Sequence, residues 1–119
     1  MDDKAKTTFE EAEIIRAYGC CANSAANRYY FAILQSIFGF AERAGGYNPP
    51  SGNGGNHKWA SDIAEPYLKS QSKKLWRAFH NLKGLRVKAD YEPSNVVSDV
   101  LNDEFVAEIT SIFNVFRLK

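Results

Sequence analysis

The pattern of apolar and polar positions along the chain predicts a bundle of helices. The longest apolar stretch, Asn23 to Ala44, carries few charges and shows two apolar stripes at helical spacing. One stripe contains Ala26, Tyr29, Ile33, Ile37 and Phe40, and the other contains Tyr30, Leu34, Phe38 and Ala41. Because a surface helix shows one apolar stripe, two stripes predict a central helix that is buried on most sides.

Four other segments have the helical period of apolar residues and begin at or near a residue that can cap a helix. The predicted helices are Thr8 to Cys21, Asn56 to Lys69, a segment from a cap at Ser70 or Ser72 to Ala89, and a last helix that follows Asn102. We expect Thr7 or Thr8 to cap the first helix and Pro66 to kink or end the third. The valine-rich segment Ser94 to Leu101 favours an extended or loosely turned connection.

The predicted fold is therefore all-α: an up-and-down bundle of four long helices plus a short fifth or terminal helix. A length of 119 residues fits one domain, residues 1–119. The segment 45–56 is rich in glycine, asparagine and proline, and it predicts a loop that is long for a helical bundle. A mobile surface excursion is favoured over a functional loop by about two to one.

Composition favours a cytoplasmic protein. The net charge is only +1, and the two cysteines, Cys20 and Cys21, are adjacent, which suits free thiols better than a disulfide. The N-terminus lacks the pattern of a signal peptide, and no apolar run is long enough to predict a membrane span. No pair of histidines or cysteines has metal-ligand spacing, so we expect no metal and no cofactor.

The clearest electrostatic feature is a basic segment that runs from the end of the third predicted helix through the fourth. No Asp or Glu lies between Pro66 and Ala89, and His80 falls in the same segment. Its cations, seven of the chain's 15 basic residues, are Lys69, Lys73, Lys74, Arg77, Lys83, Arg86 and Lys88. A basic helix can neutralise phosphates, which favours a contact with RNA or a nucleotide. The alternative, at nearly even odds, is a solvated face balanced by acids of the first and last helices.

Two arginines lie among apolar residues and need partners. Arg86 follows Leu82 by one turn, with Asp90 a further turn along, and Arg28 lies beside Tyr29 and Tyr30. We expect Arg28, Arg86, Asp90 and the tyrosine hydroxyls to form a polar cluster between the second and fourth helices. A satisfied network that fixes helix register is slightly favoured over a phosphate site. The two histidines, His57 and His80, are more often structural than catalytic at such positions.

Two motifs resemble a known family. The segment from Ser24 to Ala32, Ser-Ala-Ala-Asn-Arg-Tyr-Tyr-Phe-Ala, is similar to the signature on the second helix of HEPN domains, the higher eukaryote and prokaryote nucleotide-binding group. The segment from Leu82 to Tyr91, Leu-Lys-Gly-Leu-Arg-Val-Lys-Ala-Asp-Tyr, resembles a segment of one branch of that family. His57, after a glycine-rich loop, also fits. Together the motifs are moderately specific, and the resemblance extends from about Phe9 to Phe116.

The resemblance implies a helical bundle that usually dimerises, and it suggests that one stripe of the central helix faces a second subunit. The family includes toxins encoded beside minimal nucleotidyltransferases and RNases of defence systems. Their metal-independent RNase motif is Arg-x4-6-His. Here Tyr91 stands where Arg86 would require the histidine of an Arg-x4-His spacing, and an unperturbed tyrosine titrates near 10, too high for proton exchange at neutral pH.

Three hypotheses follow from the sequence. The first is a non-catalytic HEPN-like domain that forms a homodimer or pairs with a nucleotidyltransferase-like partner and binds RNA or a nucleotide. Its binding residues would be Arg28, Lys73, Arg77, Lys83, Arg86, Asp90 and Tyr91. The second is a metal-independent RNase toxin that uses Arg86 with His80 or Tyr91. The third is a protein-interaction module whose basic face binds an acidic protein.

Overall fold

Six helices make up most of the chain that the structure, a computed structural model, describes: residues 2–19, 21–45, 56–89, 91 and 93–118. They are α1 (Asp2–Tyr18), α2 (Ala22–Ala44), α3 (Asn56–Gln71), α4 (Lys73–Lys88), α5 (Ser94–Val100) and α6 (Asp103–Arg117). No strand occurs in these ranges, so the fold is an all-α bundle, as predicted. Five helices are long and one is short, one long helix more than expected. Most of the predicted loop 45–56 lies outside the described residues, as do Cys20 and Asp90.

The helix α2 is the centre of the bundle and contacts all five other helices. Both predicted stripes are buried within the same chain: Tyr29, Tyr30, Ile33 and Ile37 are fully inaccessible to solvent. Of the residues in the two stripes, only Phe38 is half-buried, and its ring centroid lies 5.2 Å from that of Trp59. The expectation that one stripe faces a second subunit is therefore wrong, because neighbouring helices of the same chain cover both.

A third stripe of α2 remains partly accessible, and we call it the open face of α2. It consists of Ser24, Asn27, Arg28, Phe31 and Gln35. These residues recur at intervals of one helical turn, so they share one side of the helix. Lys4 and Ile15 of α1 line the same shallow groove.

The first helix begins six residues earlier than predicted. Thr7 and Thr8 are helical rather than caps, and their hydroxyls donate to the carbonyls of Asp3 and Lys4 at 3.0 and 2.9 Å. The extra turns are stabilised by packing, because Ala5 is fully buried in a small cluster with Ala32 and Phe113. Gly19, at φ +75°, ends the helix.

Three predicted helix boundaries are confirmed. Ser72 caps α4, with its hydroxyl accepting from Lys74 N at 3.1 Å, and Asn102 caps α6, with Oδ1 accepting from Phe105 N at 2.9 Å. Gly45 ends α2 at φ 69°. By contrast, α3 does not end at Pro66 but continues through it to Gln71.

The valine-rich segment is a helix rather than the predicted extended connection. Pro93 stands at the N-cap of α5, with φ −59° and ψ 149°. Val97 is fully buried and Leu101 is 3% exposed, and α5 packs against α2. Burial of Val97 and Leu101 against the bundle stabilises the helical conformation of this segment. Tertiary packing therefore outweighs the modest helix propensity of valine.

Candidate functional site

Arg86 is a half-buried cation of α4, one turn beyond the fully buried Leu82. Its guanidinium carbon lies 5.5 Å from the ring centroid of Tyr30 and 5.6 Å from that of Phe31. Both distances are within the range of a cation–π interaction. Arg86 lies on the apolar side of its helix, as predicted, but it contacts the ring of Tyr30 and not the hydroxyl that the predicted polar cluster required. The contact spans α4 and α2.

His57, in the first turn of α3, meets the same tyrosine. Its Nδ1 atom and Tyr30 Oη share a hydrogen bond of 2.8 Å. The two rings are nearly parallel, with an interplanar angle of 12° and centroids 5.6 Å apart. Tyr30 therefore connects the imidazole of α3 with the guanidinium of α4.

Electrostatics in this cluster disfavour a second positive charge on the imidazole. Burial lowers the pKa of His57, and the charges of Arg86 and Lys83 lower it further. Burial raises the pKa of Tyr30 to about 12, so its hydroxyl stays protonated at neutral pH. We call Tyr30, Phe31, His57, Lys83 and Arg86 the Arg86 cluster.

The Arg86 cluster has cations but no acidic partner in the part of the chain that the structure describes. Salt bridges there include neither Arg86 nor Lys83. The predicted partner, Asp90, lies outside the described residues. Two cations without a described carboxylate make the local potential positive, which favours the approach of an anion.

The remaining cations of the basic segment, in α4 and at the end of α3, fall into two groups. Lys69 pairs with Glu65 at 2.6 Å, and Lys74 approaches Glu108 at 3.3 Å and Glu104 at 3.8 Å. Lys73, Arg77 and Lys88 are exposed and have no described carboxylate within ion-pair distance. The expected balance by the last helix is therefore present for Lys74, while three other cations of α4 face solvent.

The structure separates Arg28 from Arg86. Arg28 is half-exposed and lies 3.6 Å from Glu11 of α1, so the predicted cluster of Arg28 with Arg86 and Asp90 is wrong for Arg28. The reason is geometric: Arg28 belongs to the open face of α2, beside α1, whereas Tyr30 points toward α3 and α4. Asp103, one of the acids of the last helix that could have balanced the basic segment, pairs instead with Arg16 of α1 at 2.5 Å.

The two aromatic candidates for catalysis do not contact Arg86. His80 is exposed and packs edge-on against Trp76, with centroids 4.4 Å apart. Tyr91 is 85% exposed at the surface. His57, which no motif connects with Arg86, is the histidine that the fold brings to it. The sequence signals for His57 were its position at the start of a helix and its place after a glycine-rich loop, and neither predicts a neighbour on α4.

Among the described residues, no three His, Cys, Asp or Glu side chains lie close enough together to hold a metal ion. The same ranges contain no helix long and apolar enough to cross a membrane. Comparison of the chain with models of protein families, with curated proteins and with solved structures gives no match.

Proposed function

We propose that this chain is a non-catalytic, HEPN-like helical domain that binds RNA through backbone phosphates at the Arg86 cluster. The observation that supports the proposal is the position of Arg86 over the rings of Tyr30 and Phe31, with His57 stacked on Tyr30. Lys83 is near enough to lower the pKa of His57, and no described carboxylate pairs with either cation. Arginine is suited to phosphate because its planar guanidinium can donate two parallel hydrogen bonds. The similarity of the segment from Ser24 to Ala32 to the HEPN signature supports the same assignment.

Further cations of α4 extend this site along and around the helix. Lys83 precedes Arg86 by three residues and follows Lys73 by ten, and at 3.6 residues per turn these intervals place it between the two around the helix. Arg77 lies one turn after Lys73 and nine residues before Arg86, or roughly 14 Å along the axis at 1.5 Å per residue. Nine residues are two and a half turns, so Arg77 lies on the opposite side of α4 from Arg86. A strand whose phosphate lies at Arg86 therefore meets further positive charge at Lys83 and Lys73 only as it passes around the helix, with Tyr91 beyond the C-terminal end.

The open face of α2 supports the partner that this proposal includes. It leaves Phe31 half-buried in a groove with Asn27 and Gln35, beside the Arg86 cluster. A second copy of the chain or a nucleotidyltransferase-like partner would cover this face and enclose the phosphate site between two proteins. The cellular setting that we propose is a cytoplasmic toxin–antitoxin or defence system.

A gel-shift and cleavage assay with total RNA tests the proposal. Arg86→Gln removes one charge from the Arg86 cluster, and Lys74→Gln, the matched control, removes one charge that is already paired with Glu108. We expect wild type and Lys74→Gln to shift RNA without cleaving it, and Arg86→Gln to bind several-fold more weakly. Absence of a shift at low salt would contradict the proposal and leave the protein-interaction module as the better account.

A metal-independent RNase is a second candidate function, and one contact favours it. Catalysis through a 2′-hydroxyl needs a base that is neutral near pH 7, and the lowered pKa of His57 leaves its imidazole neutral beside Arg86. In that case the RNase would use Arg86 with His57, rather than with His80 or Tyr91. Cleavage that persists in a metal chelator and is abolished in both His57→Ala and Arg86→Gln would replace the non-catalytic proposal.

A further inference from the structure

The corner between α3 and α4 contains a depression that lies on the exposed side of the bundle. It has a volume of about 530 Å³ and is lined by Lys69, Lys73, Trp76, Arg77 and His80. None of these side chains belongs to the Arg86 cluster. The depression therefore needs an explanation of its own.

Two aromatic rings form the wall of this depression. Trp76 is half-buried, and its ring stands edge-on to that of Phe79, which is 1% exposed, at a centroid distance of 5.9 Å. His80 stands nearly perpendicular to Trp76, at 83°. Trp76 therefore packs on the core residue Phe79, and Trp76 and His80 together form a corner that opens to solvent.

Positive charge surrounds the rings. The ammonium group of Lys69 lies 5.5 Å from the ring centroid of Trp76 and is shared with Glu65. Lys73 and Arg77 have no described carboxylate partner, so the depression remains positive after that one pair is counted. Cations beside an accessible aromatic ring are the combination with which proteins bind single-stranded nucleic acids: the cations contact the backbone, and a base stacks on the ring.

We infer that the depression binds an unstacked base of a single-stranded RNA whose backbone follows the cations of α4. This inference rests on the proposed function and adds the class of RNA to it. A base inside a duplex is stacked on both faces and paired at its edge, so Trp76 cannot reach it. The site therefore selects single strands, although the phosphate contacts at Arg86 alone would not.

A tryptophan fluorescence titration tests the inference without altering Trp76. The chain has two tryptophans, and Trp59→Phe leaves Trp76 as the sole emitter. The probes are oligouridylate of about ten nucleotides, its duplex with oligoadenylate, and a strand of equal length without bases. Fluorescence anisotropy of labelled probes measures affinity in parallel, and circular dichroism verifies that each variant is folded.

We expect oligouridylate to quench Trp76 and to bind roughly tenfold more tightly than the strand without bases, because stacking on one ring is worth about that factor. Trp76→Leu, which keeps an apolar contact with Phe79, and His80→Ala, at an exposed position, should both reduce this difference. Lys74→Gln should retain it.

The outcomes separate the inference from the proposed function. If all three probes bind equally well and Trp76 emission does not change, the base site is wrong while phosphate binding stands. If the duplex binds as tightly as oligouridylate, selection of single strands is wrong. If no probe binds at low salt, the proposed function fails and the base site fails with it.

Discussion

His57 lies in an environment that favours its neutral form. Its ring is half-buried against Tyr30, and the two charges that lower its pKa, on Arg86 and Lys83, are positive. Protonation would place a third positive charge among them with no described carboxylate to offset it. An anion bound at the Arg86 cluster would favour protonation of His57. The charge of His57 therefore depends on whether an anion is bound there.

The lowered pKa of His57 has a consequence for stability. Because the unfolded chain takes up the proton first, near the ordinary value of 6.5, the stability that neutral His57 contributes is complete above that pH. This contribution disappears as the pH falls through the lower pKa of the folded protein. We therefore expect the urea midpoint of wild type to decrease over the interval just below pH 6.5.

The variant His57→Gln isolates this contribution, and His80→Gln is its matched control. His57→Gln should flatten the fall of the urea midpoint over that interval, while His80→Gln should leave it as in wild type. Equal slopes in His57→Gln and wild type would show that His57 does not lie among these cations in solution.

At the scale of single elements, α6 depends on its cap. Asn102 Oδ1 accepts the hydrogen bond from Phe105 N that would otherwise have no partner in the first turn. Asn102→Ala should lower the free energy of unfolding by about 1 kcal/mol. Asn114→Ala, on the exposed side of the same helix, is the control, and equal decreases in the two variants would contradict the capping role. Urea denaturation measures both.

The short helix α5 depends on burial instead. Val97 is fully buried, whereas Val100 in the same helix is 45% exposed. Val97→Ala should lower the free energy of unfolding by roughly 2 kcal/mol, since it removes buried carbon atoms and leaves a cavity. Val100→Ala should change it by less than about 0.5 kcal/mol. Similar values for the two variants, measured by urea denaturation, would mean that α5 does not pack against α2.

These elements show which parts of the fold the sequence predicts. Caps such as Ser72 and Asn102 act within a few residues, so their partners are adjacent in sequence and the helix boundaries could be predicted. The helical state of α5 depends on α2 covering Val97, which is distant in the chain. The start of α1 likewise depends on the contact of Ala5 with Ala32 and Phe113.

The same limit applies to the candidate site. Helical spacing identified Arg86 as a cation on an apolar face, because that property belongs to one helix. Its neighbours Tyr30 and His57 come from two other helices, and only the packing of α2, α3 and α4 brings them together. The spacing could not show that Arg28 pairs with Glu11, since Arg28 and Tyr30 are close in sequence but face different neighbours.

For the whole molecule, the central feature is an uneven distribution of charge. The net charge is only +1, yet the described carboxylates pair mainly with cations outside the Arg86 cluster: Asp103 with Arg16, and Glu11 with Arg28. The cations of α4 that remain without a described carboxylate lie along one helix. A chain that is almost neutral can therefore still present a helix of uncompensated positive charge to a polyanion.

The salt dependence of RNA binding tests this account most directly. The observed binding constant for single-stranded RNA should fall with salt, and each phosphate that the protein neutralises should add about 0.7 to the magnitude of the log–log slope. We expect Arg86→Gln to reduce that magnitude by about 0.7 relative to wild type, and Lys74→Gln, whose charge is already paired, to leave it unchanged. Identical slopes for Arg86→Gln and wild type, measured by fluorescence anisotropy, would contradict a phosphate site at the Arg86 cluster.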